Sequence, residues 1–345
     1  MHIVSGMVKF ALVGCGRISK NHLEAIKQAP HAELVAVCDV VEENARKTAN
    51  ENGLNRWYTD IDEMITGETP DVCCILTPSG LHAECAVKVA RRGVHVLCEK
   101  PLDVTMDNMQ RIVDTCRENG VKLGGIFQRR TFDGAIAVKR AIEQGHLGTV
   151  TLGSAILRYY RDQEYYDSGE WRGTWSLDGG GALMNQGIHG VDMLDWLMGG
   201  IHSVTACCQN LCWDIEVEDT AVVLVKFKNG AVGTIECCTT AYPGLDTVFS
   251  ISGSKGSVEI GDDGIYRWNL EDMSIKKPEV FGNLGGKNCA YHTDNYGHNV
   301  QIENMALAVL NNEEPMVPGR DAMRSVKIIL AIYESARMGK EVVID

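Results

Sequence analysis

A glycine-rich loop near the N-terminus has the residue types and spacing of a phosphate-binding turn. The segment Gly14–Ser19 (Gly-Cys-Gly-Arg-Ile-Ser) follows a short apolar run and opens a predicted helix. In the fingerprint G-x-G-x-x-G/A the first glycine allows a tight turn and the second lets the backbone approach a pyrophosphate. The third position here is Ser19, small but not glycine. The loop predicts a dinucleotide site, since a helix N-terminus also offers free amides to phosphate. The residues assigned to this contact are Gly14, Gly16, Arg17 and Ile18.

An acidic residue follows where a ribose would be recognised. Asp39 ends the second predicted strand, roughly 20 residues beyond Gly16. A carboxylate there accepts hydrogen bonds from a ribose 2′-hydroxyl and repels a 2′-phosphate, and no arginine follows directly. The sequence therefore predicts NAD. NADP stays open, because Arg17, Lys20 or Arg46 could reach a phosphate.

A lysine occupies a position suited to proton transfer beside such a cofactor. Lys100 follows the predicted strand Val94–Cys98, at the edge where ligands bind in open α/β sheets. Partial desolvation and the positive charge of an oxidised nicotinamide both favour the neutral amine. Lys100 could then act as general base in an oxidation and as general acid in the reverse reaction. A surface lysine paired with Glu99 is the alternative.

The elements that must position these residues change in character along the chain. Up to about residue 128, fully apolar strands alternate with helices of 10–15 residues, which predicts βαβ units and a parallel sheet covered on both faces. Beyond it, longer alternating stretches such as Val150–Arg158 and Asp219–Phe227 predict a largely antiparallel sheet. Two helices, Val300–Asn311 and Ala322–Met338, close the chain. We predict an α/β fold, with a Rossmann domain over residues 1–128 and a substrate-binding and oligomerisation domain over 129–345.

Composition excludes several classes of partner. The 345 residues include 33 lysines and arginines against 46 aspartates and glutamates, a net charge of −13, which argues against nucleic acid and anionic membranes. The 13 cysteines are thinly spread without zinc-ligand spacing, which predicts reduced thiols, no metal site and a cytoplasmic protein. No targeting segment or bilayer-length apolar run is apparent.

Four motifs occur in an order and spacing that resembles a known family. They are Gly14–Ile18, Thr77–His82 (Thr-Pro-Ser-Gly-Leu-His), Cys98–Leu102 (Cys-Glu-Lys-Pro-Leu) and Gly179–His189 (Gly-Gly-Gly-Ala-Leu-Met-Asn-Gln-Gly-Ile-His). The chain resembles the Gfo/Idh/MocA oxidoreductases, the glucose–fructose oxidoreductase and inositol dehydrogenase group, over nearly its whole length. The resemblance implies hydride transfer between nicotinamide and a secondary alcohol of a sugar or cyclitol. It also implies a homodimer or homotetramer paired through an exposed sheet face, and a cis Lys100–Pro101 bond.

The resemblance assigns further site residues. Thr77, Pro78, His82 and Glu99 would border the cofactor together with Lys100. His189 would touch the reacting hydroxyl and share or relay its proton, with Asp192 behind the imidazole. Which of Lys100 and His189 accepts the proton stays open.

Substrate contacts are predicted from the second domain. Asn185 departs from the aspartate of inositol dehydrogenase-like members, whereas members acting on nucleotide-linked amino-sugar acids can carry asparagine. Arg172 could clamp a hydroxyl, carboxylate or phosphate, or be a salt-bridged interface residue. The long loop 164–178 would form one pocket wall. Further pocket candidates are Arg129, Tyr160, Tyr242 and His298.

Three functions therefore compete. The leading one is an NAD-dependent dehydrogenase acting on a secondary hydroxyl of a free sugar, glycoside or cyclitol. The second is a nucleotide-sugar (UDP-sugar) 3-dehydrogenase, which Asn185 suggests. The third is a dinucleotide-sensing regulatory protein, which would have no need for both Lys100 and His189.

Overall fold

Strands and helices alternate through the N-terminal part of the chain. The computed structural model describes residues 6–279 and 295–344. The elements up to residue 125 are β1 (Val8–Val13), α1 (Ser19–Gln28), β2 (Ala32–Cys38), α2 (Glu42–Glu51), α3 (Ile61–Glu68), β3 (Val72–Ile75), α4 (His82–Arg91), β4 (His95–Cys98), α5 (Met106–Glu118) and β5 (Leu123–Gly125). The five strands form one parallel sheet in the order β2-β1-β3-β4-β5.

The strand order gathers the predicted cofactor residues at one edge. β1 lies between β2 and β3, with Val13 level with both Cys38 and Ile75. The glycine loop, Asp39 and the Thr77 turn each follow one of these parallel strands, so all three leave the sheet at the same end. β4 pairs with β3 and ends at Cys98, which brings Glu99 and Lys100 to that edge.

A second sheet dominates the middle of the chain. Its elements are α6 (Asp133–Glu143), β6 (Val150–Arg158), α7 (Gln163–Asp167), a π-helical turn (Ala182–Gly187), α8 (Ile188–Met198), β7 (Ile201–Gln209), β8 (Thr220–Phe227), β9 (Val232–Cys238), β10 (Val248–Gly253), β11 (Gly256–Gly261) and β12 (Gly264–Leu270). Every strand pair in it is antiparallel except β6 with β9. Burial alternates along β8, because one face packs on the core and the other points outward.

The C-terminal elements are α9 (Tyr296–Leu310), α10 (Gly319–Met338) and β13 (Val342–Val343). β13 extends the second sheet at β7, so that the sheet has eight strands. α9 instead packs on α1 and adds Ile302, Met305 and Ala306 to the core around β1. An apolar face of the parallel sheet is thereby covered by a helix distant in sequence.

The chain divides into two compact units. The first comprises the described residues up to Gln128 together with Asn295–Met323, and the second comprises Arg129–Asp294, as far as described, with Arg324–Asp345. The division at Gln128 coincides with the predicted boundary, whereas residues 295–323 join the first unit because α9 covers its sheet.

The predicted fold class is confirmed: a parallel five-stranded sheet precedes a mainly antiparallel eight-stranded one. The elements α3, α7, β12 and β13 were not predicted. For α3, α7 and β13 the reason is their length of eight, five and two residues, which is too short for a clear periodic pattern. The twelve cysteines among the described residues are free thiols. No described helix is long and apolar enough to cross a membrane.

Candidate cofactor and substrate sites

The glycine loop has the shape that a phosphate-binding turn requires. Gly14 has a φ of +104°, and a Cβ there would lie 2.8 Å from the backbone of Leu76. A Cβ on Gly16 would meet no protein atom within 4 Å, so the loop is open on that side. Ser19, in place of the third glycine, is buried and its Oγ donates to the Gly16 carbonyl at 2.6 Å. The serine therefore adds a contact to the turn instead of disrupting it.

Asp39 lies directly against this loop. Its Oδ2 accepts a hydrogen bond from the Cys15 amide and its Oδ1 one from the Val41 amide, both at 2.8 Å. Each carboxylate oxygen keeps a further lone pair for a hydroxyl. α1 has no side-chain cap at its N-terminus, where the Ser19 and Asn21 amides bond to the Gly16 and Ile18 carbonyls. The positive end of the helix dipole remains to favour an anion. The exposed turn, the uncapped helix end and the held carboxylate fit a dinucleotide with an unmodified ribose.

The basic residues that could bind the 2′-phosphate of NADP differ in their surroundings. Arg46 donates to Glu43 at 2.5 Å on the exposed side of α2. Arg17 and Lys20 are exposed beside the loop.

Burial raises the pKa of Cys15, inside the loop, to about 11, which keeps its thiol protonated.

Replacing Asp39 by alanine is expected to raise the KM for NAD by about 10- to 100-fold, the range for losing a hydrogen bond to a charged group. The KM for NADP should fall at the same time, because the repulsion of a 2′-phosphate is removed. Steady-state kinetics with both cofactors tests this. Asp71→Ala is the control, because Asp71 also lies beside a strand and its carboxylate accepts the Lys9 amide hydrogen. An unchanged ratio of the two KM values would remove Asp39 from ribose recognition.

A buried carboxylate supports the backbone at Lys100. Glu99 is 6% exposed, and its Oε2 accepts the amide hydrogen of Lys100 at 3.1 Å. Its Oε1 faces His22 Nε2 at 2.9 Å and His298 Nε2 at 3.3 Å. Burial raises the pKa of Glu99, but the hydrogen bonds from His22 and His298 outweigh it and hold that pKa well below its usual range. Glu99 is thus an anion that holds the backbone at Lys100 by accepting the Lys100 amide hydrogen.

The same three side chains are the one group among the described residues with the composition of a metal site. Their ligand atoms lie within 4.8 Å of one another and all three residues are buried. Both imidazole rings lie at hydrogen-bond distance from the same carboxylate oxygen, Glu99 Oε1. Burial lowers the pKa of His22, so a neutral ring donating through Nε2 satisfies the carboxylate. The arrangement is that of a hydrogen-bonded brace.

His82 connects the two loops that follow β3 and β4. Its Nδ1 lies 2.7 Å from the Pro101 carbonyl oxygen and its Nε2 lies 2.8 Å from that of Thr77. Burial lowers the pKa of His82, so the neutral ring donates to one of these carbonyls. Its buried side chain therefore braces the loops, whereas Thr77 and Pro78 are half-buried. The Lys100–Pro101 bond is cis, as the resemblance implied.

In the second unit, Asn185 is held at both ends of its amide. Its Nδ2 donates to Asp178 Oδ1 at 2.6 Å, and its Oδ1 accepts from Gln186 Nε2 at 2.9 Å. Asp178 is buried and its other oxygen accepts the Gly173 amide at 3.0 Å. An aspartate at position 185 would face that carboxylate with like charge. The asparagine is therefore matched to its neighbour Asp178.

Two arginines meet on one tyrosine beside Asn185. Arg172 Nη1 donates to the Tyr165 hydroxyl at 2.5 Å, and its guanidinium lies 4.3 Å from the centre of that ring. Arg161 lies 5.3 Å from the same ring and donates to Gln186 Oε1 at 2.7 Å. Neither arginine has a carboxylate within salt-bridge distance among the described residues. The salt-bridged alternative for Arg172 is thus not observed among the described residues, and both guanidinium groups contact neutral groups.

His189 is the second residue of α8, directly after the π-helical turn, and is half-buried. Asp192, expected behind its ring, instead accepts hydrogen bonds from Arg130 and Ser325. His189 thus lies in the first turn of α8, while Asp192 links α8 to Arg130 and to Ser325.

The remaining pocket candidates have separate environments. Tyr242 is 77% exposed, its ring meets that of Tyr160 edge to face at 5.1 Å, and its bond to Pro243 is cis. Tyr160 also contacts Trp213. His298 is buried in the brace with Glu99 and so cannot line an open pocket, since its contacts are internal to the first unit.

Several neighbours of the candidate site residues were not predicted from the sequence. His22 was not named, and His298 was named as a pocket candidate and not as a partner of Glu99. The two histidines are separated from Glu99 by 77 and 199 residues, so no local pattern relates them. Tyr165, Gln186 and Asp178 lie in or beside the predicted pocket wall, and its density of aromatic and charged residues was the available signal.

Comparison with known proteins places both units in one family. Residues 8–126 match the family described as "Oxidoreductase family, NAD-binding Rossmann fold", and residues 135–259 match the "GFO/IDH/MocA C-terminal domain". The first unit is therefore an NAD-binding Rossmann domain, as the glycine loop and Asp39 predicted.

Individual relatives cover nearly the whole chain. The structure of the WlbA dehydrogenase of Bordetella pertussis, in complex with NADH and UDP-GlcNAcA, is 37% identical with a TM-score of 0.87, over 98% of this chain and 99% of that one. The corresponding complex of the WlbA dehydrogenase of Chromobacterium violaceum is 33% identical with a TM-score of 0.87, over 99% and 97% of the chains. The myo-inositol 2-dehydrogenase of Thermotoga maritima is 25% identical over 98% of this chain and 99% of its own.

Proposed function

The chain belongs to the Gfo/Idh/MocA family of oxidoreductases, and we propose that it catalyses the reversible NAD-dependent oxidation of a secondary hydroxyl of a sugar to a ketone. The observation that carries the proposal is the supported Lys100: a general-base candidate whose backbone is held by a buried, braced carboxylate beside the NAD-binding edge. Bound NAD supplies the acceptor for the hydride.

The chain's own residues would divide the remaining work. Gly14, Gly16 and the uncapped end of α1 hold the pyrophosphate, and Asp39 holds the ribose. Lys100 and His189 take the hydroxyl proton and pass it on. Asn185, fixed by Asp178 and Gln186, offers a hydrogen bond that cannot become a proton acceptor.

Among sugar substrates, we propose a nucleotide-linked sugar carrying a carboxylate. Neither Arg161 nor Arg172 forms an ion pair among the described residues, which favours an anionic group as their partner, since guanidinium pairs well with carboxylate and phosphate. Identities of 37% and 33% to two dehydrogenases bound to UDP-GlcNAcA, against 25% to the inositol dehydrogenase, support the same class. Asn185 agrees with it. A free sugar or cyclitol is the second candidate, which the relatives named for inositol and apiose support.

A substrate panel separates these classes. UDP-linked hexuronic acids, UDP-hexoses, free hexoses and inositols are each incubated with NAD while NADH absorbance is followed. We expect turnover with the UDP-linked acid, and a large loss for the UDP-hexose, which keeps the diphosphate but lacks the sugar carboxylate that we assign to the arginines. Turnover with a free sugar or inositol alone would replace the nucleotide-sugar proposal by the second candidate. No turnover with any class would remove the dehydrogenase proposal.

The outward face of the second sheet supports association of two copies of this chain. Leu152 and Val232 are paired neighbours on β6 and β9, and Val222 and Leu224 lie on the exposed side of the adjacent strand β8, where Lys226 pairs with Val232. These four apolar side chains are 47–61% exposed. A group of exposed large apolar side chains on one sheet face is typical of a protein–protein contact. The twelve free thiols support a reducing compartment such as the cytoplasm.

Leu224→Arg is expected to convert the wild-type oligomer to monomers, because a charge would be buried at the centre of this face. Analytical ultracentrifugation at equal concentrations measures the change. Leu211→Arg is the matched control, since Leu211 is 70% exposed but lies in the loop between β7 and β8. A wild-type monomer, or an L224R protein of unchanged mass, would contradict the assignment of this face.

A further inference from the structure

A single buried residue holds the start of the π-helical turn. Glu218 is 4% exposed, its Oε2 accepts the Gly181 amide at 2.9 Å and its Oε1 accepts the Leu183 amide at 2.8 Å. Its backbone carbonyl accepts the intervening Ala182 amide, also at 2.8 Å. Three consecutive amides of the turn are thus bound by Glu218.

Tyr333 of α10 completes this contact. Its hydroxyl donates to Glu218 Oε1 at 2.9 Å, and its ring meets Trp175 edge to face at 5.2 Å. The carboxylate therefore joins a helix, the loop before β8 and the turn before α8. We call Glu218 and Tyr333 the latch.

The consecutive glycines before the turn are what let the backbone reach the latch. A Cβ on Gly181 would lie 1.8 Å from the Glu218 carbonyl oxygen. A Cβ on Gly180, whose φ is +156°, would lie 2.1 Å from the Tyr333 hydroxyl oxygen. Both contacts are too close for any side chain. The glycine motif thus has a structural partner in Glu218, which its sequence spacing does not reveal.

The latched turn continues without a break into the predicted catalytic segment. The Asn185 amide donates to the Gly181 carbonyl at 3.1 Å, and α8 begins at Ile188, directly before His189. Any shift of residues 181–183 therefore moves Asn185 and the first turn of α8. We propose that Glu218 is a positioning residue that sets the placement of Asn185 and His189 for the reaction. The inference rests on the proposed function for the roles of these two residues.

The protonation of Glu218 should govern the latch. Burial raises the pKa of Glu218 to about 7, against the opposing effect of the Leu183 and Gly181 amides and Tyr333. The titratable groups facing it are Tyr333, Cys208 and Cys237, with Asp219 next in sequence, and no basic group is among them. Burial raises the pKa of Tyr333, Cys208 and Cys237 as well, so these stay protonated. Glu218 alone among them changes charge near neutral pH.

The sign of the pH effect follows from the donors. The ionised carboxylate accepts from all three donors, whereas a protonated one carries a hydrogen of its own that the amides cannot accept. Loosening of the turn with Glu218 still buried removes only these hydrogen bonds, which lower its pKa, so ionisation favours the ordered turn over the loosened one. The ordered turn, and with it kcat, should therefore increase as pH rises through about 7. Folding stability runs the other way, because unfolding returns the carboxyl to water. The folded carboxyl binds its proton more tightly than the unfolded one, so its favourable contribution, complete below about pH 4.5, is lost as pH rises through about 7.

The test compares Glu218→Gln, Tyr333→Phe and the control Glu259→Gln between pH 5.5 and 9. Glu259 is a carboxylate of the same unit in a partly exposed ion pair with Arg267. We expect E218Q to lower kcat by about tenfold or more, to abolish the inflection near pH 7, and to leave NADH affinity unchanged. Y333F keeps the carboxylate and should lower kcat less while retaining the inflection. E259Q should match the wild type.

A second readout needs no substrate. Amide hydrogen exchange of residues 182–189, corrected for the intrinsic pH dependence, should be faster in E218Q and faster in the wild type at pH 6 than at pH 8. The latch would be overturned if E218Q had the same kcat and the same exchange rates as the wild type. It would also be overturned if the corrected exchange of the wild type were equal at pH 6 and pH 8. If E218Q does not fold, two results together would overturn the latch: Y333F is protected from exchange as strongly as the wild type, and exchange in the wild type does not depend on pH. An absence of dehydrogenase activity would end the proposed function alone, because the exchange measurement still decides whether the latch exists.

Discussion

Replacing Lys100 by alanine is expected to lower kcat by about 10²- to 10⁴-fold, the range contributed by a positioned general base. The hydroxyl proton then has no amine to accept it as the hydride leaves. The protein should stay folded, since the contact that holds this backbone runs from the Lys100 amide to Glu99 and does not involve the side chain. Steady-state kinetics with NAD and the panel substrate, together with NADH binding by fluorescence, measures the effect. The loss should fall on kcat much more than on the KM for NAD.

The matched control is Lys88→Ala. Lys88 lies in the same unit, on α4, and its side chain is paired with Asp60 and Asp62. Its removal should leave kcat unchanged. Added primary amines should partly restore the rate of K100A if the lost group is a base. A near-normal rate in K100A would remove Lys100 from this role and transfer it to His189.

Replacing Arg130 by methionine is expected to destabilise the second unit by about 3–5 kcal/mol, the cost of removing one partner from a buried ion pair. Asp192 is 1% exposed and accepts from Arg130 Nε at 2.8 Å and Nη2 at 2.6 Å. Burial raises the pKa of Asp192, and the arginine charge and hydrogen bonds oppose that rise. Without the arginine, the carboxyl is left with Ser325 as its remaining observed partner. The deficit should grow as pH rises, because the unpaired carboxyl is then forced to ionise in a buried position.

Denaturant unfolding followed by tryptophan fluorescence measures this loss, since Trp196 lies 5.8 Å from the Arg130 guanidinium. Lys139→Met is the control: Lys139 lies 5.7 Å from the same ring but is paired with the exposed Glu143 instead of a buried acid. It should cost about 1 kcal/mol or less. Adding Asp192→Asn to the Arg130→Met variant should recover part of the stability, because the buried charge is gone. A loss below 1 kcal/mol in R130M would show that the pair is not a structural tie.

How far prediction from the sequence reached depended on whether the signal was local. The glycine loop, Asp39 and Lys100 each follow a buried strand, and parallel strands necessarily bring such residues to one edge. Their arrangement could therefore be predicted without knowing any tertiary contact. The partners of Glu99 could not, because His22 and His298 come from α1 and from a helix near the C-terminus. The expectation that Asp192 lies behind His189 came from the family resemblance, which does not reveal the arginine that reaches Asp192 from another element.

The motifs along the chain by themselves determined the class of chemistry: a dinucleotide turn, an acid that favours NAD, and a lysine and a histidine able to move a proton. Strand periodicity also determined the two kinds of sheet, because alternation and continuous burial are local properties of a β-strand. The tertiary structure decided which groups hold that chemistry in place. The return of α9 to the first sheet, the brace behind Lys100 and the Glu218 latch all join residues far apart in sequence. Their partners are selected by burial, which requires every charged group removed from water to find a counterpart wherever the fold brings one.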